Sequence, residues 1–253
     1  MTGVGKLYQK EIHSQFSYFA TWLPNSHLEL GDVGLLNGDK FVRETTLGDL
    51  GVPFTVREGE APLDLIWTSK SGISVETKAA GQAAVGTTIP LAQAGISIKF
   101  SREGAILFQA VGCIVDSIDN KPKLETDIKN LLRQNRWNRD WTVVDTLVRA
   151  GRATIIVSDS GDASLDLTAE VPVTPANLTN VNAGLSVIHQ RGAVIKFIAE
   201  DGLAPLFKLS RVKPSMFQRL RGTKNGGFYR ELGGDRGPSS QPEEQLLETV
   251  SPE

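Results

Sequence analysis

The sequence predicts an α+β fold: a twisted, mostly antiparallel sheet with hairpins, one main amphipathic helix and a short C-terminal tail. Three observations carry this. Apolar residues recur with period two in a series of short runs from residue 62 onward, which is the signature of half-buried strands. Clusters of Gly, Asn, Asp and Ser punctuate those runs. Residues 122–134 show the clearest 3.6-residue period. The composition agrees with a folded chain, with 40% of the 253 residues hydrophobic and 22% charged. A chain of this length buries roughly 70% or more of its unfolded surface and needs no disulfide or metal to do so.

In chain order, residues 1–23 carry His13, Phe16, Tyr18, Phe19, Trp22 and Leu23 at a spacing that fits a short helix running into a strand. Between 28 and 56 the elements are short, and Asn37-Gly38-Asp39 is a good hairpin turn because Asn and Gly tolerate positive φ. Leu63, Leu65 and Trp67 alternate with Asp64, Ile66 and Thr68, and Ile73 and Val75 follow after a Ser71-Gly72 turn. Residues 79–95 are mostly Ala, Gly, Thr and Gln and read as a pliable strand or loop. Residues 95–113 read as the clearest hairpin: Ile96, Ile98 and Phe100, then a turn at 101–104, then Ile106, Phe108 and Ala110. Cys113, the only cysteine, reads as a small buried apolar residue.

The helix at 122–134 places Leu124, Ile128, Leu131 and Leu132 on one face, with Pro122 in its first turn. Residues 141–158 read as a second hairpin turning at 149–152 and carrying Val143, Leu147 and Ile156. A third is expected at 185–199, turning at 190–192, with His189 a polar strand residue and not a ligand. A last short strand is expected at 205–209.

The tail divides by charge. Residues 208–230 hold seven bases and no acid, Arg219, Arg221, Lys224 and Arg230 among them, whereas 231–253 hold six acids against one base. The acidic segment therefore carries −5, and residues 1–230 carry +3 within a chain of net −2. Residues 1–230 read as a single domain and 231–253 as a flexible acidic tail, with Gly233 to Ser240 a linker. Leu246, Leu247 and Val250 lie in a possible short helix that would pin the tail to the body.

The balance of charge excludes a nucleic-acid magnet. No charged head precedes an apolar run at the start, no stretch of 18 apolar residues exists, and Thr2 stands where myristoylation needs Gly. The chain is expected to be cytoplasmic as made. Three widely spaced histidines and one cysteine make no zinc pattern. Gly3-Val4-Gly5-Lys6 lacks the strand, spacing and hydroxyl of a phosphate loop. No nucleophile elbow, zinc-protease motif or calcium loop is present, so no catalytic residue, metal or cofactor is expected.

The order of elements, hairpin, helix, hairpin, strand pair and tail, resembles a gasdermin pore-forming domain, and several stretches resemble the bacterial branch. They are 108–118 (FQAVGCIVDSI) leading into Leu124-Glu125-Thr126-Asp127-Ile128, then 141–148 (WTVVDTLV) with 152–157 (RATIIV), and 202–209 (GLAPLFKL). A fainter likeness lies at 19–36. The acylatable cysteine common near the start of bacterial gasdermins is absent. The resemblance implies a soluble precursor, released by proteolysis of its tail, that oligomerises with itself on an anionic inner membrane in antiviral defence by cell death. The membrane-inserting residues would then be Ile96, Ile98, Phe100, Ile106, Phe108, Val143, Leu147 and Ile156. Arg219, Arg221, Lys224 and Arg230 would bind lipid, and Leu246, Leu247 and Val250 would hold the autoinhibitory tail. A binding or scaffold module of similar build, and an enzyme with dispersed catalytic residues, remain open on the sequence.

Overall fold

The computed structural model describes residues 3–38, 40–83, 86–175, 178–179, 184–213 and 247–250. Its backbone is α+β, with fifteen strands and two helices in the described residues. Every strand pairing there is antiparallel. Helix α1 (Gly3–Phe16) turns Val4, Tyr8 and Ile12 inward at i, i+4 and i+8. It runs into β1 (Phe19–Ala20), as the spacing of residues 1–23 leads one to expect. Strands β2 (Asp32–Asn37) and β3 (Lys40–Thr46) form the hairpin at Gly38, whose φ is 62°. Helix α2 (Lys121–Arg133) buries Leu124, Ile128 and Leu131 and keeps Leu132 partly exposed, so its apolar stripe is the one its period predicts.

The larger sheet is organised by one long strand, β8 (Ile106–Ile118). On one edge of β8 lie β4 (Val56–Arg57) and β5 (Leu63–Thr68). Its other edge takes β9 (Trp141–Arg149) at residues 114–117 and β10 (Arg152–Ser158) at 106–111. Strand β9 continues to β14 (Leu206–Val212), which carries β1 and β15 (Leu247–Val250) on its outer edge, and β10 continues to β13 (Val194–Asp201). The second sheet has four strands in the order β12 (Ser186–Arg191), β11 (Ser164–Ala169), β7 (Ala94–Phe100), β6 (Ile73–Lys78).

This pairing corrects all three hairpins expected downstream of residue 94. Strands β7 and β8 belong to different sheets, as do β12 and β13. Strands β9 and β10 are not partners either: they are two parts of one strand opposite β8, in the same register on both sides of the break at Ala150–Gly151. Tight turns do occur at 101–105 and 192–193, but each carries the chain from one sheet to the other. The strands that pair across the smaller sheet, β6 with β7 and β11 with β12, are joined by residues 79–93 and 170–185. The C-terminal apolar residues also differ from expectation: 247–250 form a strand, not a helix.

The two sheets pack face to face. Ile96, Ile98, Leu165 and Leu167 of the smaller sheet meet Leu107 and Ile156 of the larger in one buried cluster. The opposite face of β8 and β10, with Ile106, Phe108, Ala110, Ile155 and Val157, is covered by Val4, Tyr8 and Ile12 of α1. Helix α2 covers the other end of the larger sheet with Val33, Val52, Ile118 and Val143.

Candidate functional site

Four corners line up where the sheets meet: residues 69–72 between β5 and β6, 101–105 between β7 and β8, 159–163 between β10 and β11, and 192–193 between β12 and β13. The two inner strands keep one register through their corners. Ile106 stands opposite Val157, Lys99 stands opposite Ser164, and the Phe100 amide donates to the Ala163 carbonyl at 2.8 Å. Five residues, 101–105 and 158–162, separate the ladders on each strand, and even there the Ser158 amide reaches the Ala105 carbonyl at 3.0 Å. The inner pair is one antiparallel ladder bent back on itself.

Along an extended strand, alternate residues share a face. Extended through its corner, β7–β8 would place Ile96, Ile98, Phe100, Ile106, Phe108 and Ala110 on one face, with Ser97, Lys99, Ser101, Glu103 and Gln109 on the other. Its partner β10–β11 would place Ala153, Ile155, Val157, Ala163, Leu165 and Leu167 against Thr154, Ser158, Ser160, Ser164, Asp166 and Thr168. In the folded molecule each apolar set faces two ways: the β7 and β11 halves lie between the sheets, and the β8 and β10 halves lie under α1.

The structure distributes the residues expected to insert. Ile96, Ile98, Phe100 and Ile156 line the space between the sheets. Ile106 and Phe108 lie under α1, Val143 packs under α2, and Leu147 packs with Phe19 and Phe207. All eight are buried. Arg219, Arg221, Lys224, Arg230 and Leu246 lie outside the described residues. Leu247 and Val250 lie on β15, opposite Val212 and Leu209 of β14. Val250 is buried beside Leu209 and Phe207, Arg211 pairs with Glu248 at 2.8 Å, and the Leu247 amide donates to Glu125 of α2 at 3.3 Å.

Sequence reasoning missed two polar anchors beneath the 79–93 connection. Lys78, 4% exposed, donates from Nζ to the carbonyls of Pro90, Leu91 and Gln93 at 2.7, 3.2 and 2.8 Å. Asp166 accepts from the Thr88 amide and hydroxyl at 2.9 and 2.7 Å. Burial pushes the Asp166 carboxyl up, but hydrogen bonds from its neighbours more than offset this and hold it below its ordinary value. The available signal is a charged residue in an alternating strand, Lys78 at the end of β6 and Asp166 inside β11, and it also fits a solvated side chain. Cys113 is buried as expected, and burial, with Asp64 nearby, pushes its thiol up to about 11. Asp64, Asp116 and Asp145 do not converge. Asp64 accepts from the Gly112 amide, Asp116 pairs with Arg149, and Asp145 meets Lys121 and Ser210. Among the described residues no group of three potential ligands is placed to hold a metal. No helix there is long and apolar enough to cross a membrane, which leaves strands untouched.

No family model matches the chain, and no curated protein matches it. Among solved structures it is similar to a gasdermin A3 membrane pore determined by cryo-electron microscopy. The identity is 10%, the match covers 83% of this chain and 90% of that one, and the TM-score is 0.34. At that score the likeness does not fix the family or its bacterial branch.

Proposed function

We propose that this chain is the precursor of a gasdermin-like membrane pore, a non-catalytic role in which the smaller sheet swings out at the four corners. The observation that carries the reading is the shared register of β7–β8 and β10–β11 through their bends. Straightening the corners would turn two folded ladders into one long ladder without re-pairing, with one apolar and one polar face. A strand needs about 8–10 residues to cross roughly 25–30 Å of apolar membrane. The 18 residues from Arg152 to Ala169 are ample for that. Strands survive in lipid only when their edges are closed. The folded ladder ends on β5 and β6 at one side and on β12 and β13 at the other, so copies of the chain would close the wall edge to edge.

On this reading Ile96, Ile98, Phe100, Ile106 and Phe108 share the lipid-facing side, joined by Ile155, Val157, Leu165 and Leu167. Ile156 falls on the polar side opposite Leu107, while Val143 and Leu147 stay in the body. The tail is the gate. Strand β15 adds only four residues to the β14 edge. A protease cutting between residues 233 and 240 would remove a net charge of −3 or −4 and leave a basic end attracted to an anionic membrane, the inner membrane in a bacterial setting. Each base near such a surface contributes about 1 kcal/mol.

The test places a site for a specific protease between Gly233 and Ser240 and measures calcein release from anionic liposomes before and after cutting. Release only after cutting is the expected result. No release in either state contradicts the pore reading and favours a fixed β-sandwich that serves as a binding module.

A further inference from the structure

Helix α1 does more than cover the sheet. Its Glu11 carboxylate accepts hydrogen bonds from the β5–β6 side and from the β7–β8 side of the corner line. One oxygen takes Trp67 Nε1 at 3.2 Å and Ser69 Oγ, and the other takes Arg102 Nη2 at 2.8 Å. Ser69 and Arg102 are themselves corner residues. The Ser69 hydroxyl accepts the Ile106 amide at 2.8 Å, and Arg102 Nε donates to the Ser71 carbonyl at 3.0 Å. Backbone packing tightens the same place. The Arg102 side chain lies against Gly72, where a Cβ would stand 2.3 Å from Cγ, and Leu7 of α1 lies against Gly104, where a Cβ would stand 2.7 Å from the Leu7 Cβ. Both glycines have positive φ. The other two corners are tied differently, through the Asp159 amide to the Ala193 carbonyl and the Ala193 amide to Ser160 Oγ, with no residue of α1 in those bonds.

The contacts of α1 are also less than fully satisfied. Tyr8 is fully buried, and its hydroxyl and the Nδ1 of His13 are buried with no hydrogen-bond partner. A buried unpartnered polar group opposes docking.

We propose that Glu11 is a latch: its bonds to Ser69 and Arg102 hold the β5–β6 and β7–β8 corners closed, and lifting α1 is the step that frees the hairpin formed by β6 and β7. This rests on the pore reading and adds a requirement to it. The apolar face of the straightened ladder includes Ile106, Phe108, Ile155 and Val157, which α1 now covers. That half of the face stays covered while α1 remains in place.

The test has one arm without membranes and one with them, both on the full chain. Amide hydrogen exchange is measured for Glu11→Ala, Glu11→Gln and, as a control on the same helix, Lys10→Ala. Losing a charge-assisted acceptor is expected to speed exchange at Ser69, Ser101 and Ile106 on the order of tenfold in Glu11→Ala, with Asp159 and Ala193 unchanged. Glu11→Gln, which keeps shape and loses charge, is expected to lie between it and the parent, and it serves as the readout if Glu11→Ala does not fold. Unchanged rates, equal acceleration at all four corners, or the same effect from Lys10→Ala would overturn the latch. In the second arm, cut Glu11→Ala is expected to release calcein faster than the cut parent. Equal, measurable release from both overturns the gating role of α1. No release from either contradicts the pore reading alone, and the exchange rates then decide the latch.

Discussion

At the scale of single residues, two buried charges hold the connection between β6 and β7 against the smaller sheet. Replacing Lys78 with Met removes a donor shared by three carbonyls, of which Pro90 and Leu91 keep the amides of Gln93 and Gly81, a loss of about 1–3 kcal/mol. The expected outcome is faster cleavage within residues 79–93 in limited proteolysis, and unchanged cleavage would contradict the clamp. Asp166 gives this clamp a pH dependence of definite sign. Its carboxyl is held below the ordinary value in the folded chain, so its contribution is present above the unfolded pKa and is lost as pH falls through the folded one. Loop protection at residues 86–88 should therefore be constant from neutral pH down to the ordinary carboxylate range and weaken only in stronger acid, and Asp166→Asn should abolish that step. Cys113 behaves in the opposite direction. With its thiol pushed up to about 11, the folded chain keeps the proton that the unfolded chain loses from about 9 upward. Stability should fall between those two values, and thiol reagents should react with the native chain far more slowly than with the unfolded one. Cys113→Ala should remove the part of the alkaline loss that sets in near pH 9, before the buried Tyr8 and Tyr18 phenols add theirs above about 10, as followed by thermal melts across that range.

At the scale of elements, the strands were legible and their partners were not. Alternation is a local property, so Ile96-Ser97-Ile98-Lys99-Phe100 and Ser164-Leu165-Asp166-Leu167 announce themselves, and α2 was read to within a residue at each end. Pairing is non-local, and the rule that a tight turn joins partners failed at 101–105 and 192–193, where the turn crosses between sheets. Strand β7 pairs instead with β6, beyond a connection rich in Ala and Gly that carries no turn signature, and with β11. The same fact changes what a substitution means. Ile98 is fully buried between the sheets. Ile98→Asp would put an unpaired charge in that core, at a cost of about 3 kcal/mol or more, and should lower the melting temperature before any membrane is present. Leu167→Ala should cost about 2–5 kcal/mol for the same reason. Melts that match the parent would contradict the sandwich packing. The candidate site was thus legible as a set of residues and illegible as an arrangement: Ile96, Ile98 and Phe100 face one way and Ile106 and Phe108 the other, because the five-residue corner reverses the facing that an unbroken strand would keep.

At the scale of the whole molecule, the described body is closed at one end by a strand from the tail and at the other by a ladder folded over on itself. Charge was visible in the sequence as a basic run followed by an acidic one, but the mode of tail docking was not, since Leu247 and Val250 fit a helix by spacing and pair with β14 as a strand. The ion pair between Arg211 and Glu248 is half-exposed, so it holds the tail weakly, about 1 kcal/mol or less. Tail binding should therefore weaken in high salt mainly through long-range charge, while Val250→Asp should release it at any salt. Exchange at the β14 amides that face β15 reports this. The central claim is that β7 and β11 leave the sandwich as strands with one lipid-facing side, and its most direct test is a polarity-sensitive dye scan. Single cysteines at 96, 97, 98 and 99 and at 165, 166, 167 and 168, in a Cys113→Ser background, are labelled and the cut chain is added to anionic liposomes. The account predicts emission that alternates residue by residue, apolar at 96, 98, 165 and 167 and aqueous at 97, 99, 166 and 168, with lipid-borne quenchers acting only on the first set. Emission that does not change on adding liposomes, or that fails to alternate between neighbours, would contradict it.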